Sequence, residues 1–222
     1  MSKQALVVVD MQNYFCRPGY ALARLLAAGG GPTATDWYWQ WLGSTVVPNI
    51  SRLAEEFRGR DDLVLFTEFG SRTADGSDLP GWARRHDELA LSAIGERIYL
   101  PLSDPGARVI AELAPTAGDV VVQKTTSGPL AGTDIAARLA AADVETVVVA
   151  GVVTDVCVTG MARELADSDF NVLVVADACG APVRETHEWA LRVAIPTFAS
   201  TVSTDDVLAT ARNAAALPAA DA

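Results

Sequence analysis

Short apolar runs alternate with segments of helical periodicity along this chain. The runs show no polar alternation, which indicates strands buried on both faces, and most of them are separated by helix-like segments. This order of elements is typical of a parallel sheet with helices on both sides. The predicted strands cover residues 5–9, 63–67, 120–123, 146–150, 171–176 and 197–201, and the predicted helices cover residues 47–57, 134–142, 155–166 and 184–193.

The pattern predicts an α/β fold, a three-layer doubly wound sheet of about six mainly parallel strands in the order 3-2-1-4-5-6. Two stretches depart from it, residues 29–42 with an aromatic cluster and residues 68–82 with many Gly, Asp and Pro. We expect both to be loops at the carboxyl ends of strands. The length predicts a single domain over residues 1–222, ending in an Ala-rich frayed tail at residues 213–222.

Charge and cysteine content narrow the classes of function. The chain has 17 Lys and Arg against 28 Asp and Glu, a formal net charge of −11. This balance disfavours nucleic acid and anionic membranes as partners and leaves a small neutral or cationic substrate open. No apolar stretch reaches the roughly 18 residues of a membrane span, so we expect no membrane partner. Three widely spaced cysteines predict free thiols and a cytoplasmic protein.

Ionisable residues follow several predicted strands, where parallel sheets place their sites. Asp10 follows the first strand and Lys124 the third, while Cys157 lies in the turn after the fourth. Alone, each has an ordinary explanation: a cap, a solvated lysine or a small core residue. Their coincidence at one edge predicts a reacting group. Lys124 must still span two strand spacings of roughly 4.8 Å to reach Asp10.

Cys157 lies in the segment Gly-Val-Val-Thr-Asp-Val-Cys that begins at Gly151. We expect Thr154 to cap a helix that holds Cys157 in its first turn, where the helix dipole favours a nucleophilic thiolate. Cys16 and Cys179 lack this strand–turn–helix setting. We interpret both as packing residues.

Five segments together resemble the isochorismatase-like cysteine hydrolases, a family that includes nicotinamidases and N-carbamoylsarcosine, ureidoacrylate and biuret amidohydrolases. The resemblance runs over most of the chain, and its motifs are specific in combination. The segments are VVVDMQNYF at residues 7–15, PNI at 48–50, KTTS at 124–127 followed by GTD at 132–134, GVVTDVCV at 151–158, and ADAC at 176–179.

The resemblance implies a catalytic triad of Asp10, Lys124 and Cys157. Asp10 would accept the thiol proton, Cys157 would attack an amide carbonyl to form a thioester, and Lys124 would support the charge of Asp10. It also implies a cis peptide between Val152 and Val153. Backbone amides of Val153 and Cys157 would then form the oxyanion hole.

Departures from the family pattern refine the expected chemistry. Glu68-Phe69-Gly70 stands where nicotinamidases carry a metal-binding Asp-x-His, and His86 and His187 are the two histidines of the sequence. We expect no metal and no cofactor, and a structural or surface role for His187. The resemblance therefore favours the metal-free branch of the family. We expect a homo-oligomer (dimer or tetramer). Its expected reaction is hydrolysis of the C–N bond of a small linear amide, ureide or carbamoyl compound. Two alternatives are a vinyl-ether hydrolase and a catalytically silent oligomeric binding protein.

Substrate contacts are the least determined part of the sequence. We expect residues 70–82 to cover the cleft, and Arg72, with Arg84 and Arg85, either binds a substrate carboxylate or is solvated. The aromatic residues between Trp37 and Trp41 cannot share one helical face, so they pack against the core and against a subunit or the substrate. The candidate contacts are Phe15, Trp41, Glu68, Arg72 and Trp82.

Overall fold

The computed structural model describes residues 3–30 and 36–215. Its six strands form one parallel sheet in the order β3-β2-β1-β4-β5-β6. The α/β class and the strand order predicted from the sequence are both confirmed. The strands are β1 (Lys3–Val9), β2 (Leu63–Phe69), β3 (Val120–Lys124), β4 (Val144–Val152), β5 (Asn171–Gly180) and β6 (Ser200–Val202).

Helices cover both faces of the sheet, because each strand presents apolar side chains to both sides. In β1, Leu6 and Val8 belong to one buried cluster, while Val7 and Val9 belong to the other. Within the described ranges, no helix has the length and apolar character needed to cross a membrane. The helices are α1 (Asn13–Cys16), α2 (Ala21–Gly30), α3 (Asp36–Trp41), α4 (Val47–Gly59), α5 (Gly81–Ile94), α6 (Ile135–Ala141), α7 (Thr159–Ala166), α8 (Arg184–Trp189) and α9 (Thr204–Ala215).

Neither predicted loop is a simple loop. Residues 29–42 include the end of α2 and all of α3, with residues 31–35 outside the described part of the chain. Residues 68–69 finish β2 and residues 81–82 begin α5. Helix α9 continues to Ala215, so residues 213–215 of the predicted tail are helical; residues 216–222 lie outside the described residues.

Helix α5 carries no strong apolar pattern, because its buried face is made of small and polar side chains. Ala83, Asp87 and Ala90 are its buried residues. Asp87 Oδ1 accepts hydrogen bonds from the backbone N–H groups of Ile98 and Tyr99 at 2.9 and 3.1 Å. A carboxylate therefore anchors the helix to the chain that follows it, an interaction between distant positions that apolar periodicity does not reveal.

Gly151 allows the carboxyl ends of β1 and β4 to lie against each other. Its φ is +120°, and a Cβ built on it would lie 2.1 Å from the carbonyl oxygen of Val9. Only glycine fits this approach. It brings the residue after β1, Asp10, beside the turn that follows β4.

Asp177, one of the residues at a predicted strand end, lies inside β5 and has a structural role. The register with β4 jumps there, from Val149 opposite Val174 to Gly151 opposite Cys179. Asp177 Oδ1 accepts hydrogen bonds from the backbone N–H and the hydroxyl of Thr204 at 2.8 and 2.9 Å. The carboxylate therefore fixes the start of α9.

Candidate active site

A buried ion pair joins the ends of β1 and β3. Lys124 Nζ donates to Asp10 Oδ2 at 2.7 Å, and both side chains have 0% exposure. Thr67 of β2 donates its hydroxyl to Asp10 Oδ1 at 2.6 Å and accepts from the backbone N–H of Asp10 at 3.1 Å. Asp10 has a φ of +49°. Sequence reasoning gave Thr67 no role, because a threonine in a strand is ordinary.

Lys124 spans the width of β2 by extending past Phe69. Phe69 is its register partner on β2, and Nζ lies 5.0 Å from the centre of the Phe69 ring. Nζ also donates to the carbonyl oxygens of Thr126 and Ser127 at 3.0 and 3.3 Å. Burial lowers the pKa of Lys124, but the Asp10 carboxylate and the Cys157 sulfur raise it, and the net result is a raised pKa. The ammonium is therefore charged at neutral pH.

Cys157 lies in a single π-helical turn, Thr154–Val158, between β4 and α7. The peptide bond between Val152 and Val153 is cis. The expected capping role of Thr154 is wrong, because Val153 holds the N-cap position and Thr154 is the first residue of the turn. Its hydroxyl instead lies 2.8 Å from Nδ1 of the buried His187. The wider π turn replaces the capped α-helical start, and His187 supports it from α8.

The environment of the Cys157 thiol differs from the expected thiolate-stabilising helix start. Burial raises the pKa of Cys157 to about 12; Lys124 and a backbone hydrogen bond from Val153 lower it, whereas Asp10 raises it. The thiol is protonated at neutral pH, and the helix-dipole argument is overturned by desolvation. A nucleophile in this state needs a neighbouring base, and Asp10 is the carboxylate beside it.

Gln12, the second polar residue of the first motif, holds the loop after β1 against β2. Its Oε1 accepts from the backbone N–H of Phe69 at 2.9 Å, and its Nε2 donates to the carbonyl oxygens of Phe69 and Ala107 at 2.9 and 2.6 Å. The Tyr14 hydroxyl donates to the same Phe69 oxygen at 2.8 Å. These bonds fix Asp10 and the Phe69 ring relative to each other.

Cys157 opens into a cavity of about 280 Å³ with apolar walls. Phe15 and Trp82, two of the candidate substrate contacts, line it. The leucines of the wall carry no functional signal in the sequence, because apolar residues on helices are typical of the core. The missed wall residues include Leu22 and Leu25 of α2, Leu89 of α5, and Tyr99.

Three candidate contacts lie outside this cavity. Glu68 binds Arg108 Nη1 at 2.9 Å and Gln123 Nε2 at 3.1 Å. Trp41 donates its indole N–H to the carbonyl oxygen of Cys179 at 2.9 Å. Arg72 contacts the loop itself, through a backbone N–H bond to Asp78 Oδ2 at 2.8 Å. The side chains of Glu68 and Trp41 are thus bonded to protein groups, and Arg72 Nη2 lies 3.5 Å from the carbonyl oxygen of Gly132.

The aromatic residues of α3 pack over the carboxyl end of β5. Tyr38 is fully buried and donates its hydroxyl to the carbonyl oxygen of Phe15 at 3.2 Å, while Trp37 donates to the carbonyl oxygen of Pro182 at 3.0 Å. Trp37 and Trp41 line a second cavity of about 340 Å³ with His187, apart from the Cys157 cavity. Cys16 and Cys179 are buried free thiols that do not line the Cys157 cavity.

Comparison with known proteins gives similarity over almost the whole chain. The isochorismatase domain model matches residues 4–206. A ureidoacrylate amidohydrolase of Stutzerimonas stutzeri (strain A1501) is 30% identical over 215 residues, which cover 92% of this chain and 81% of that protein. A cysteine hydrolase structure from Pseudomonas syringae pv. phaseolicola 1448A has a TM-score of 0.76 at 26% identity, covering 96% of this chain and 93% of that one. An N-carbamoylsarcosine amidase from Thermoplasma acidophilum has a TM-score of 0.64 at 26% identity, with 91% and 97% covered.

Proposed function

The chain belongs to the isochorismatase domain family and is a hydrolase, and we propose that it cleaves the C–N bond of a small amide, ureide or carbamoyl compound through a thioester on Cys157. One observation carries this proposal. A protonated, buried thiol lies beside a buried Asp10–Lys124 ion pair, at the base of a cavity. The names of two similar proteins, a ureidoacrylate amidohydrolase and an N-carbamoylsarcosine amidase, support the choice of bond.

In the acylation half-reaction, the Cys157 thiol transfers its proton to a carboxylate oxygen of Asp10 as sulfur attacks the substrate carbonyl carbon. The electron pair of the C=O double bond moves to oxygen. Backbone N–H groups of Val153 and Cys157 stabilise this oxyanion. The tetrahedral species then collapses, the C–N bond breaks, and protonated Asp10 gives its proton to the departing nitrogen.

Deacylation repeats these steps with water. Asp10 takes a proton from the water molecule as its oxygen attacks the thioester carbon, and the C–S bond then breaks. The proton returns to sulfur, so the thiol and the carboxylate are restored. Lys124 remains charged throughout and balances Asp10, because an unpaired carboxylate at 0% exposure would favour its neutral form.

The proposal is tested by ammonia release from a panel of amides, ureides and carbamoyl compounds. We expect turnover by the wild-type protein, none by Cys157→Ala, and unchanged turnover by Cys179→Ala. Cys179 is a matched control because burial likewise raises its pKa to about 12, yet it does not line the cavity. Vinyl-ether cleavage without ammonia release would replace the proposed reaction, and inactivity on both substrate classes would favour a binding protein.

A further inference from the structure

The walls of the Cys157 cavity are uncharged. Of the described residues that line it, none is Lys, Arg, Asp or Glu. Besides the thiol, its polar side-chain groups are the indole N–H of Trp82 and the pair His86 and Tyr99, whose Nδ1 and hydroxyl lie 3.1 Å apart as partners of each other. An anion placed among these walls would lose its hydration without gaining a charged partner.

Cations on the helices that build the walls are directed elsewhere. Arg24 of α2 binds Glu96 Oε1 through Nε at 2.9 Å. Arg84 of α5 donates Nη1 to the carbonyl oxygens of Ser77 and Leu79 at 3.2 and 2.8 Å. Arg85 is exposed and does not line the cavity. A substrate carboxylate would therefore have to break an existing bond or recruit a solvated side chain.

The cavity size limits the group that enters it. Its volume of about 280 Å³ lies at the small end of the roughly 300–1,000 Å³ typical of ligand pockets, so the group that enters is small. Leu22 and Leu25 form one wall, and Trp82 and Leu89 belong to the opposing helix. This shape suits a short branched alkyl chain or one aromatic ring.

We infer that the substrate is a neutral amide or ureide whose non-reacting end is apolar and lies between α2 and α5. This inference rests on the proposed function and narrows it, because it excludes substrates that carry a carboxylate. The formal net charge of −11 acts in the same direction by repelling anions from the protein.

Two isosteric pairs test the inference. Adipamate ends in a carboxylate where 6-methylheptanamide has an isopropyl group. The ureides 4-ureidobutanoate and 4-methylpentylurea differ in the same way. A cationic compound, 6-aminohexanamide, completes the set. Calorimetry with Cys157→Ala measures binding without turnover, and ammonia release by the wild type measures kcat/KM. We expect the neutral member of a pair to bind at least about 30-fold more tightly, since the described residues that line the cavity include no cation to offset the desolvation of a carboxylate.

These measurements separate the inference from the proposed function. Equal or tighter binding of a charged compound, or no binding of either neutral compound at millimolar concentration, would overturn the inference. Cys157-dependent ammonia release from the anionic compounds would overturn it while leaving the amidohydrolase function intact. Neutral compounds that bind tightly but are never hydrolysed would support the apolar cavity and count against the amidohydrolase function.

A cation placed on the wall gives a second test. Leu89→Arg puts a guanidinium at the rim and should reduce the preference for the neutral member of a pair about tenfold. Leu91→Arg is the matched control, because Leu91 lies on the same helix, is 45% exposed and does not line the cavity. Equal effects of the two variants, or no effect of either, would show that the cavity wall does not set the preference and would overturn the inference.

Discussion

The floor and the walls of the Cys157 cavity are built by opposite means. By the floor we mean Cys157, which lines the cavity and is 3% exposed, together with the strand-end pair Asp10 and Lys124 behind it, both at 0% exposure. The walls come from α2 and α5 and reach the surface, where Leu89 is 64% exposed. The sheet therefore fixes the reacting groups, while the helices determine which molecules reach them.

This division has an energetic basis. The carboxylate of Asp10 is bound by Lys124 and Thr67, so removing one partner leaves a buried group unsatisfied, which is costly. The wall makes apolar contacts, whose loss costs less and changes shape rather than charge. Substitutions in the floor should therefore change the rate of the chemical step, and substitutions in the wall should change which substrates bind.

The largest effect is expected from Cys157→Ala. We expect kcat/KM to fall by at least roughly 10³-fold while the protein stays folded, because alanine fits the same buried space. Steady-state kinetics and thermal unfolding check this, with Cys179→Ala as the control. Retention of most activity would move the nucleophile away from the floor and break the comparison.

The next test treats Asp10 and Lys124 as one unit. Asp10→Asn removes proton transfer, and Lys124→Met leaves a buried carboxylate that favours its protonated form, so both should lower kcat/KM by roughly 10²-fold or more. The acidic limb of the pH profile should move to higher pH in Lys124→Met. The double variant should be little worse than Asp10→Asn, because both act on one step.

The Lys124→Met variant also measures how much the Asp10–Lys124 pair contributes to the free energy of unfolding. The pKa of Lys124 is raised in the folded protein, so its contribution to stability is full below the ordinary lysine value near 10.4 and is lost as pH rises above it. Unfolding across this pH range should show that loss in the wild type and not in Lys124→Met. Multiplicative losses of activity with an unmoved pH profile would mean that Lys124 acts independently of Asp10.

A substitution at Gly151 tests the close packing of β1 and β4 beneath the floor. Gly151→Ala should destabilise the protein by about 3 kcal/mol or more and reduce activity with it, because the new Cβ would meet the Val9 carbonyl at 2.1 Å. Gly118→Ala is the control, since a Cβ there meets nothing within 4 Å. Denaturant unfolding measures both. Equal stability of the two variants would contradict the close packing that joins Asp10 to the nucleophile turn.

The smallest effect is expected at the wall. Trp82→Ala should raise KM about tenfold while kcat changes little, because it removes contacts made equally in the ground and transition states. The kinetics of one neutral amide with this variant and the wild type measure the split. A fall in kcat with unchanged KM would place Trp82 with the reacting groups and remove the distinction between floor and wall.

The floor was predictable from the sequence, because charge at the end of a buried strand is costly and therefore conspicuous. The strand-end charges of Asp10 and Lys124 and the family motif around Cys157 predict the reacting group, and the three side chains meet in the structure. Glu68 carried the same signal, yet Arg108 neutralises it. Loop geometry determines which residue pairs with a charge at a strand end, and the hydrophobic periodicity of the sequence does not show that geometry.

The walls and supports were not predictable in this way. Leu22 and Leu25 look like ordinary core positions, and Thr67 like an ordinary strand residue. Thr154 is a residue type that often caps helices, but its hydroxyl is hydrogen-bonded to the buried His187 of α8. In each case the deciding contact joins elements that are distant in the sequence, so tertiary packing overrides local preference.

The most direct test of the central claim is the partition of a common acyl intermediate between water and hydroxylamine. A primary amide and its N-methylamide share one acyl group, and both should form the same thioester on Cys157 before any nucleophile from solution attacks. We expect the same ratio of hydroxamate to carboxylic acid from the two substrates, and no product from Cys157→Ala. A ratio that depends on the leaving amine, or hydrolysis without any hydroxamate, would contradict a thioester formed on Cys157.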